Sequence, residues 1–445
     1  MKLHKGLVLT MFFTLITSIG ASAAGWNVLD YGADKTGKSD NTAAFQKALD
    51  VASTAKGGVV YVPAGHYMFT GHLTIPSSVT LRGTFSSAPH VSSADNLEGS
   101  VLMPTADRSN AEGTPFISMA TNSTLEGFIV YYKDAMNPET NQPFVYPPCI
   151  QSTPITWPGS NNVVIRHMNI VNAYDAISLI WASRTFISDI QGFPAHSGIC
   201  IDCCFDSSRF ENIHWSPQGR ASAPYEEWTR NNGTAFEFGR DDFQNVQHSF
   251  CRGYKTGFKF DITRHVPDND PSGKPLIVPR WCNGTFVGCG AFDCGNAILV
   301  NYMQMPGLMF TNCEFAGSDD PTSIPVVVNS TAGAATLSFS NCMFKDAGSS
   351  MISAKSPSSN ILVANSNFNN WGKNKQDATA CIQVDAGRAI INDNTFDKSK
   401  VQTHSQVRIG AEVKSAVITG NISKGKSVFD SKIGDKAIIK DNITD

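Results

Sequence analysis

Short apolar runs that alternate with polar residues at period two recur through this chain, separated by Gly, Asn, Ser and Asp. In the second half they share one register: Phe286-Val-Gly-Cys-Gly-Ala, Phe310-Thr-Asn-Cys-Glu-Phe, Phe339-Ser-Asn-Cys-Met-Phe, Val363-Ala-Asn-Ser-Asn-Phe, Ile391-Asn-Asp-Asn-Thr-Phe and Ile418-Thr-Gly-Asn-Ile-Ser. Each opens on an apolar residue, most carry a Cys or small polar residue three places on, and their starts lie 24 to 29 residues apart. A unit this short cannot bury an apolar face alone and has to stack on its neighbours, which predicts a β-solenoid.

A second register lies between those runs and reaches further towards the N-terminus: Ala176-Ile-Ser-Leu-Ile, Gly198-Ile-Cys-Ile-Asp, Ala235-Phe-Glu-Phe-Gly, Gly257-Phe-Lys-Phe-Asp, Ala297-Ile-Leu-Val-Asn and Cys381-Ile-Gln-Val-Asp. Second and fourth residues are apolar throughout, so they should fill the interior, while third and fifth residues form an outward parallel sheet. The outward rows read Ser178, Cys200, Glu237, Lys259, Leu299 and Ile180, Asp202, Gly239, Asp261, Asn301. Asp202, Glu237, Lys259 and Asp261 therefore cluster on one face at the middle rungs.

From its start, the chain shows Lys2 and Lys5, an apolar run from Leu7 to Ile19 and Ala21-Ser22-Ala23, the pattern of a secretory signal over 1–23. Removal of that segment would give a secreted or periplasmic protein, read as a single domain over 24–445. Within it, 24–60 forms an N-terminal cap, 61–160 the first rungs with a Pro-rich insertion, and 161–445 the regular rungs. Asp40 is placed to cap a helix whose stripe of Ala44, Phe45, Ala48, Leu49 and Ala52 ends at Gly57-Gly58, suited to covering the open end of a solenoid. Between about 86 and 160 only Leu125-Glu-Gly-Phe-Ile-Val reads as a rung. That insertion, 215–232 and 263–283 should wall a cleft beside the charged rungs, bringing Trp215, Trp228, Arg264, Arg280 and Trp281 as candidate substrate contacts.

A formal net charge of only -3 over 445 residues gives no electrostatic reason to expect nucleic acid or an anionic membrane as partner. Eleven cysteines in an exported chain would ordinarily suggest disulfides, but Cys289, Cys313 and Cys342 share one repeat position and read as a ladder of small buried residues. Cys203 and Cys204 are adjacent, so they point to opposite faces of a strand, and no metal site is assigned to them. The six Asn-x-Ser/Thr sequons, Asn122, Asn232 and Asn329 among them, read as solenoid turns rather than glycosylation sites.

The run Val28-Leu-Asp-Tyr-Gly-Ala-Asp, followed by Ser39-Asp-Asn-Thr-Ala-Ala-Phe and Gly57-Gly-Val-Val-Tyr-Val-Pro-Ala-Gly-His-Tyr, resembles the opening of pectate-lyase-like proteins that include rhamnogalacturonase-type and family 28-related glycoside hydrolases. The resemblance implies an all-β fold, a right-handed parallel β-helix with an N-terminal capping helix. It leaves open a homotrimer, which several β-helix proteins form. The superfamily includes hydrolases, lyases, epimerases and phage tailspikes, so fold does not fix reaction. Polygalacturonases of the superfamily carry Asn-Thr-Asp, Asp-Asp, Gly-His-Gly and Arg-Ile-Lys in successive rungs. None is intact here: Asn172-Ala-Tyr-Asp-Ala-Ile and His196-Ser-Gly-Ile only echo the first and third, and Asp241-Asp242 falls in a different rung setting.

On a lattice with strands about 4.8 Å apart, Glu237 and Lys259 are neighbours and Asp202 lies diagonal to Glu237 at roughly 8 Å between backbones. An inverting glycosidase holds its two carboxyls about 6.5–9.5 Å apart. The favoured expectation is a secreted polysaccharide hydrolase of pectin-like or other acidic polymers, with Asp202 as acid and Glu237, kept ionised by Lys259, as base. A lyase, with Lys259 or an Arg as base and calcium as cofactor, is the alternative, and a noncatalytic carbohydrate-binding solenoid the third reading; for hydrolysis no cofactor is expected. His196 and His214 are candidates for proton transfer, and Arg240, Asp241 and Asp242 for holding substrate, although each is also an ordinary turn residue. Glu237 and Lys259 also read as a surface ion pair.

Overall fold

A computed structural model describes residues 25–85, 97–156, 159–219, 221–265, 282–373, 379–397, 405–424 and 428–444. The signal-like segment, Arg280 and Trp281 lie outside the described residues. The chain winds as a right-handed parallel β-helix, and both sequence registers are real ladders. The first runs from Trp26 through Val60, Leu81 and Leu125 to Ile165. It continues through Ile187, Phe210 and Val246 to Phe286 and then along the six runs read from sequence, ending at Ile439. The second pairs Ile177 with Ile199, Phe236, Phe258 and Ile298. It gains two rungs that the sequence reading passed over, Val326–Val328 and Ile352–Ala354.

The hexapeptide pattern has a direct geometric cause. Its third residue takes a left-handed conformation and turns the strand from one sheet to the next: Gly288, Asn312, Asn341, Asn365, Asp393 and Gly420 have φ between 52° and 70°. Gly, Asn and Asp tolerate that region at least cost. The fourth residue then points inward just past the corner, where its neighbour's backbone N–H needs an acceptor. Cys289 N–H donates to Cys313 Sγ (3.4 Å), Cys342 N–H to Ser366 Oγ (3.0 Å), Ser366 N–H to Asn394 Oδ1 (2.9 Å) and Asn394 N–H to Asn421 Oδ1 (3.0 Å). Cys289, Cys313 and Cys342 thus belong to a hydrogen-bonded ladder, and none of the eleven cysteines forms a disulfide.

Inside, the aromatic runs stack as well as pair, with Phe286 and Phe310 rings 4.5 Å apart and Phe236 and Phe258 4.7 Å apart. Each buried Phe contributes roughly 1.5–3 kcal/mol of apolar burial. Helix α1 (Thr42–Thr54) buries Phe45, Ala48, Leu49 and Ala52 over the first rungs, with Phe45 edge-on to Tyr67 and Phe69. Asn41 is the residue at its N-cap, while Asp40 Oδ1 accepts from Thr42 N–H (3.1 Å) and Thr70 N–H (3.0 Å). The Pro-rich stretch is more regular than its composition suggests, since Ser100–Pro104, Ile117–Met119 and Ile150–Ser152 are all ladder strands.

Helix α2 (Ala223–Asn232) fills the second insertion. Its Tyr225 is buried with Val101, Ile129, Val171, Phe193 and Ala195 in a satellite core on the outside of the solenoid, and donates its hydroxyl to Phe193 O (2.8 Å) and Ala173 O (3.1 Å). Among the described residues no helix is long and apolar enough to cross a membrane.

Candidate active site

The outward row forms in the expected register: Cys200 pairs with Glu237, Glu237 with Lys259 and Lys259 with Leu299. None of Asp202, Glu237, Lys259 or Asp261 points into the solenoid. Lys259 Nζ lies 3.1 Å from Glu237 Oε1 and 2.9 Å from Asp261 Oδ2, and Arg264 Nη2 also bonds Glu237 Oε1. Asp261 Oδ2 accepts from Asn301 Nδ2 (3.2 Å), whose Oδ1 accepts from Asn329 Nδ2 (2.6 Å), so a polar row continues along the sheet. Burial works against the Lys259 ammonium but is outweighed by Glu237 and Asp261, which raise its pKa. Lys259 is therefore a cation at neutral pH and not a base. Glu237 raises the Arg264 pKa further, and the Arg264 side chain stays 65% exposed at the cleft.

Asp202 does not suit the acid role read from sequence. It is on the outward face but only 3% exposed, under the segment that follows Asp261. Its Oδ1 accepts from Arg240 N–H (2.9 Å) and its Oδ2 from Arg264 N–H (3.0 Å), with His265 Nδ1 at 2.6 Å. Burial opposes ionisation, but the bonds from His265, Arg240, Thr263 and Arg264 outweigh it and lower the pKa. The carboxylate has room because its neighbour on the next rung is Gly239, where a Cβ would come within 2.6 Å of Oδ1.

Two further expectations are corrected. Trp215 is fully buried in the main core, because it takes an inward position of its strand, and it cannot touch substrate. Asp241 is also fully buried, with Oδ1 accepting from Cys204 N–H (3.2 Å); burial, and then Asp202, push its pKa well up. Arg240 turns its guanidinium onto Phe205, 4.6 Å from the ring, and Asp242 accepts from Asn283 Nδ2 at 2.9 Å. His214 lies against Phe250 (4.9 Å) in a strand of the adjoining sheet, between Gln191 and Phe250, and so does not join the charged row.

His196 does join it. Its Nδ1 lies 2.7 Å from Asp175 Oδ1, its ring stacks on Tyr174 (4.8 Å, 15°), and Trp228 of α2 stands 5.7 Å from Tyr174 and 6.4 Å from His196. Burial lowers the His196 pKa, but Asp175 and then Glu237 outweigh it, so the net shift is upward; Arg264 also acts on its charge. Burial, then Asp175, raises the Tyr174 pKa, so its phenol stays protonated. Tyr174 and Asp175 received no role from sequence. The signal was the rung spacing: Asp175 pairs with Ser197, which sets Tyr174 beside His196. Among the described residues no group of three or more His, Cys, Asp or Glu side chains is placed to hold a metal ion.

Tyr174, His196 and Trp228 thus gather beside the outward row of Cys200, Glu237 and Lys259, and Arg264 reaches the same row through Glu237; together they define the candidate cleft. Comparison with known proteins finds likenesses at the start of the chain and in its fold. Residues 25–170 match the model of the family described as rhamnogalacturonase A/epimerase, pectate lyase-like. This pectate lyase-like segment holds the cap and first rungs and stops before Tyr174, so every residue of the cleft lies beyond it. Mannuronan C5-epimerase AlgE1 of Azotobacter vinelandii is 48% identical over 65 residues, which are 13% of this chain and 5% of that protein. Alginate lyase 7 of the same organism is 50% identical over 46 residues, 10% of this chain and 5% of the relative. Both matches therefore span about a twentieth of the curated relatives. Among solved structures, the tailspike of E. coli bacteriophage HK620, in complex with a pentasaccharide, superposes with a TM-score of 0.56 at 12% identity, covering 93% of this chain and 78% of the tailspike. That likeness is one of fold.

Proposed function

We propose that this chain modifies a uronate-bearing polysaccharide by removing the proton at C5, next to the sugar carboxylate. The observation that carries the reading is the Asp175–His196 pair beside a Glu237-held Arg264, with Glu237 and Arg264 near enough to act on the His196 charge. With Nδ1–H donated to Asp175, Nε2 is the basic nitrogen of His196, and a carboxylate partner stabilises the imidazolium that forms. Because Asp175 and Glu237 raise its pKa, His196 is a stronger base than a free imidazole. Arg264 neutralises the substrate carboxylate, which makes the C5 proton acidic, and its guanidinium suits a bidentate carboxylate contact. Tyr174, protonated beside His196, is the group to donate a proton. Trp228 offers an aromatic wall for a sugar ring.

From the enolate two outcomes balance. Loss of the 4-linked oxygen, taking a proton from Tyr174, gives chain cleavage and an unsaturated uronate. Return of a proton to the opposite face of C5 gives the epimer. The partial likeness to mannuronan epimerases and an alginate lyase agrees with either. Hydrolysis by Asp202 and Glu237 is less well supported, because Asp202 is held ionised and covered and so offers no proton to a leaving oxygen.

The test is incubation of polymannuronate, polyguluronate and polygalacturonate in deuterated water. Deuterium at C5, or the ultraviolet absorbance of an unsaturated uronate, is expected for one of them and lost in His196→Ala. New reducing ends with neither signal would replace this reading with hydrolysis.

A further inference from the structure

A cavity of about 440 Å³ lies away from the cleft, on the outward face of the adjoining sheet. Its floor follows one row of that sheet: Arg252 pairs with Phe292, Phe292 is followed on the next rung by Ala316, and Ala316 pairs with Lys345. Ala316 is small, and a Cβ on Gly317 would come within 2.4 Å of Asp346 O, so the row dips between Phe292 and Lys345. Lys345 leans over the dip, with Nζ 4.8 Å from the Phe292 ring centroid and 2.5 Å from Glu314 Oε1. Gln218 and Lys373 close the two ends.

The groove is lined by three cations, Arg252, Lys345 and Lys373, and three carboxylates, Asp293, Asp319 and Asp346, and among the described residues only Lys373 and Asp346 pair across it. Asp293 is engaged by Arg230 of α2 (2.8 Å), and Asp346 by Asn370 Nδ2 (2.6 Å). Arg252 is exposed and makes no salt bridge among the described residues, and Lys373 reaches Asp346 only at 3.9 Å. Gln218 Oε1 is buried at the groove with no hydrogen-bond partner there. The site therefore offers cations for a carboxylate and the partly exposed ring of Phe292 for the C–H face of a pyranose. Successive rungs advance by about 4.8 Å, comparable to the advance per sugar along an extended 1,4-linked uronate chain.

We propose that this groove is a second binding site for a uronate-bearing saccharide, separate from the His196 cleft. The choice of uronate rests on the proposed function, whereas the existence of the site does not. Helix α2 stands between the two, with Trp228 facing the cleft and Arg230 fastened to Asp293 at the groove. A polymer held in the groove raises the effective concentration of its remaining length at the cleft, which acts on long substrates and not on short ones.

The experiment is calorimetric titration of mannuronate and galacturonate tetramers into His196→Ala, with and without Arg252→Ala/Lys373→Ala. One of the tetramers is expected to fill two sites per chain. The groove substitutions should remove one of them, weakening it at least tenfold, and salt should weaken it in the parent. In the active chain Arg252→Ala/Lys373→Ala should raise KM for the polymer several-fold and leave kcat/KM for the tetramer unchanged. Unchanged stoichiometry after the groove substitutions overturns the site. Equal binding of neutral cellotetraose, insensitive to salt, overturns the uronate assignment. If wild type turns over no uronate polymer but the groove substitutions still abolish tetramer binding, the groove stands and the proposed reaction falls.

Discussion

Replacing Asp202 by Asn tests whether that carboxylate is a clamp. In the wild type it receives Arg240 N–H on one oxygen and Arg264 N–H and His265 on the other. Asp202→Asn keeps the shape but leaves one acceptor oxygen, so its amide NH2 must face a donor. One charge-assisted bond worth about 1.5–3 kcal/mol is lost, and a buried donor left unpaired costs about 1–3 kcal/mol more. A local loss of about 4 kcal/mol corresponds to a fall of roughly 10³ in hydrogen-exchange protection. The amides of Arg240 and Arg264 should show it at pH 7, while those near Phe310 and Phe339 keep their protection. Because the Asp202 pKa is lowered by folding, its contribution is full at neutral pH and is lost as pH falls through the folded value. Acid should therefore abolish the difference between variant and wild type. A change under tenfold at Arg264, or an equal loss along the whole ladder, would refute the clamp.

Three other outcomes follow from the site. Asp175→Asn removes the largest of the contributions that raise the His196 pKa, so the acid limb of the pH–rate profile should move to lower pH while kcat falls by roughly 10²–10⁴, read by steady-state kinetics across pH. Trp228→Ala should raise KM about three- to tenfold, in line with a contact of about 0.5–1.5 kcal/mol, at nearly constant melting temperature, whereas Trp215→Ala should cost about 3–5 kcal/mol of stability in thermal unfolding. Asp241→Asn should be as stable as wild type or more so at neutral pH: a pKa raised by folding gives stability that is complete at low pH and declines as pH rises, and the amide removes that decline.

Much of this architecture was legible because a solenoid repeats its own local rules. Period-two alternation fixed which residues of Gly198-Ile-Cys-Ile-Asp and Ala235-Phe-Glu-Phe-Gly face inward, and the pairing of Cys200 with Glu237 follows from it. Val326–Val328 and Ile352–Ala354 escaped notice because three-residue strands carry too few alternations to stand out from flanking Ser, Thr and Pro. Trp215 was misplaced because an insertion begins immediately after it, and its strand's inward parity had to be carried across the left-handed corner at Asn212. For Asp202 the row position was right. Its role depended on where the backbone of Arg264 returns, and that return is set by tertiary contacts with no periodicity to announce them.

The location of the cleft has a cause in the same geometry. The row that holds Glu237 and Lys259 continues through Leu299, Val327 and Ser353, so lattice position alone does not make a site. What changes at the middle rungs is the length of chain between strands. Between Trp215 and Thr234 there is room for a helix, and α2 brings Trp228 over Tyr174 and His196. Beyond Phe260 the chain folds back far enough for Asp202 to bind its backbone and for Arg264 to reach Glu237. Where the turns are short the outward row is open to water, and a charge there is worth little. Where they overhang, solvent is partly excluded, Lys259 and Arg264 are held cationic, and His196 is tuned by carboxylates on the two neighbouring rungs. The repeat thus supplies the spacing, and the insertions supply the dielectric that gives the spacing chemical consequence.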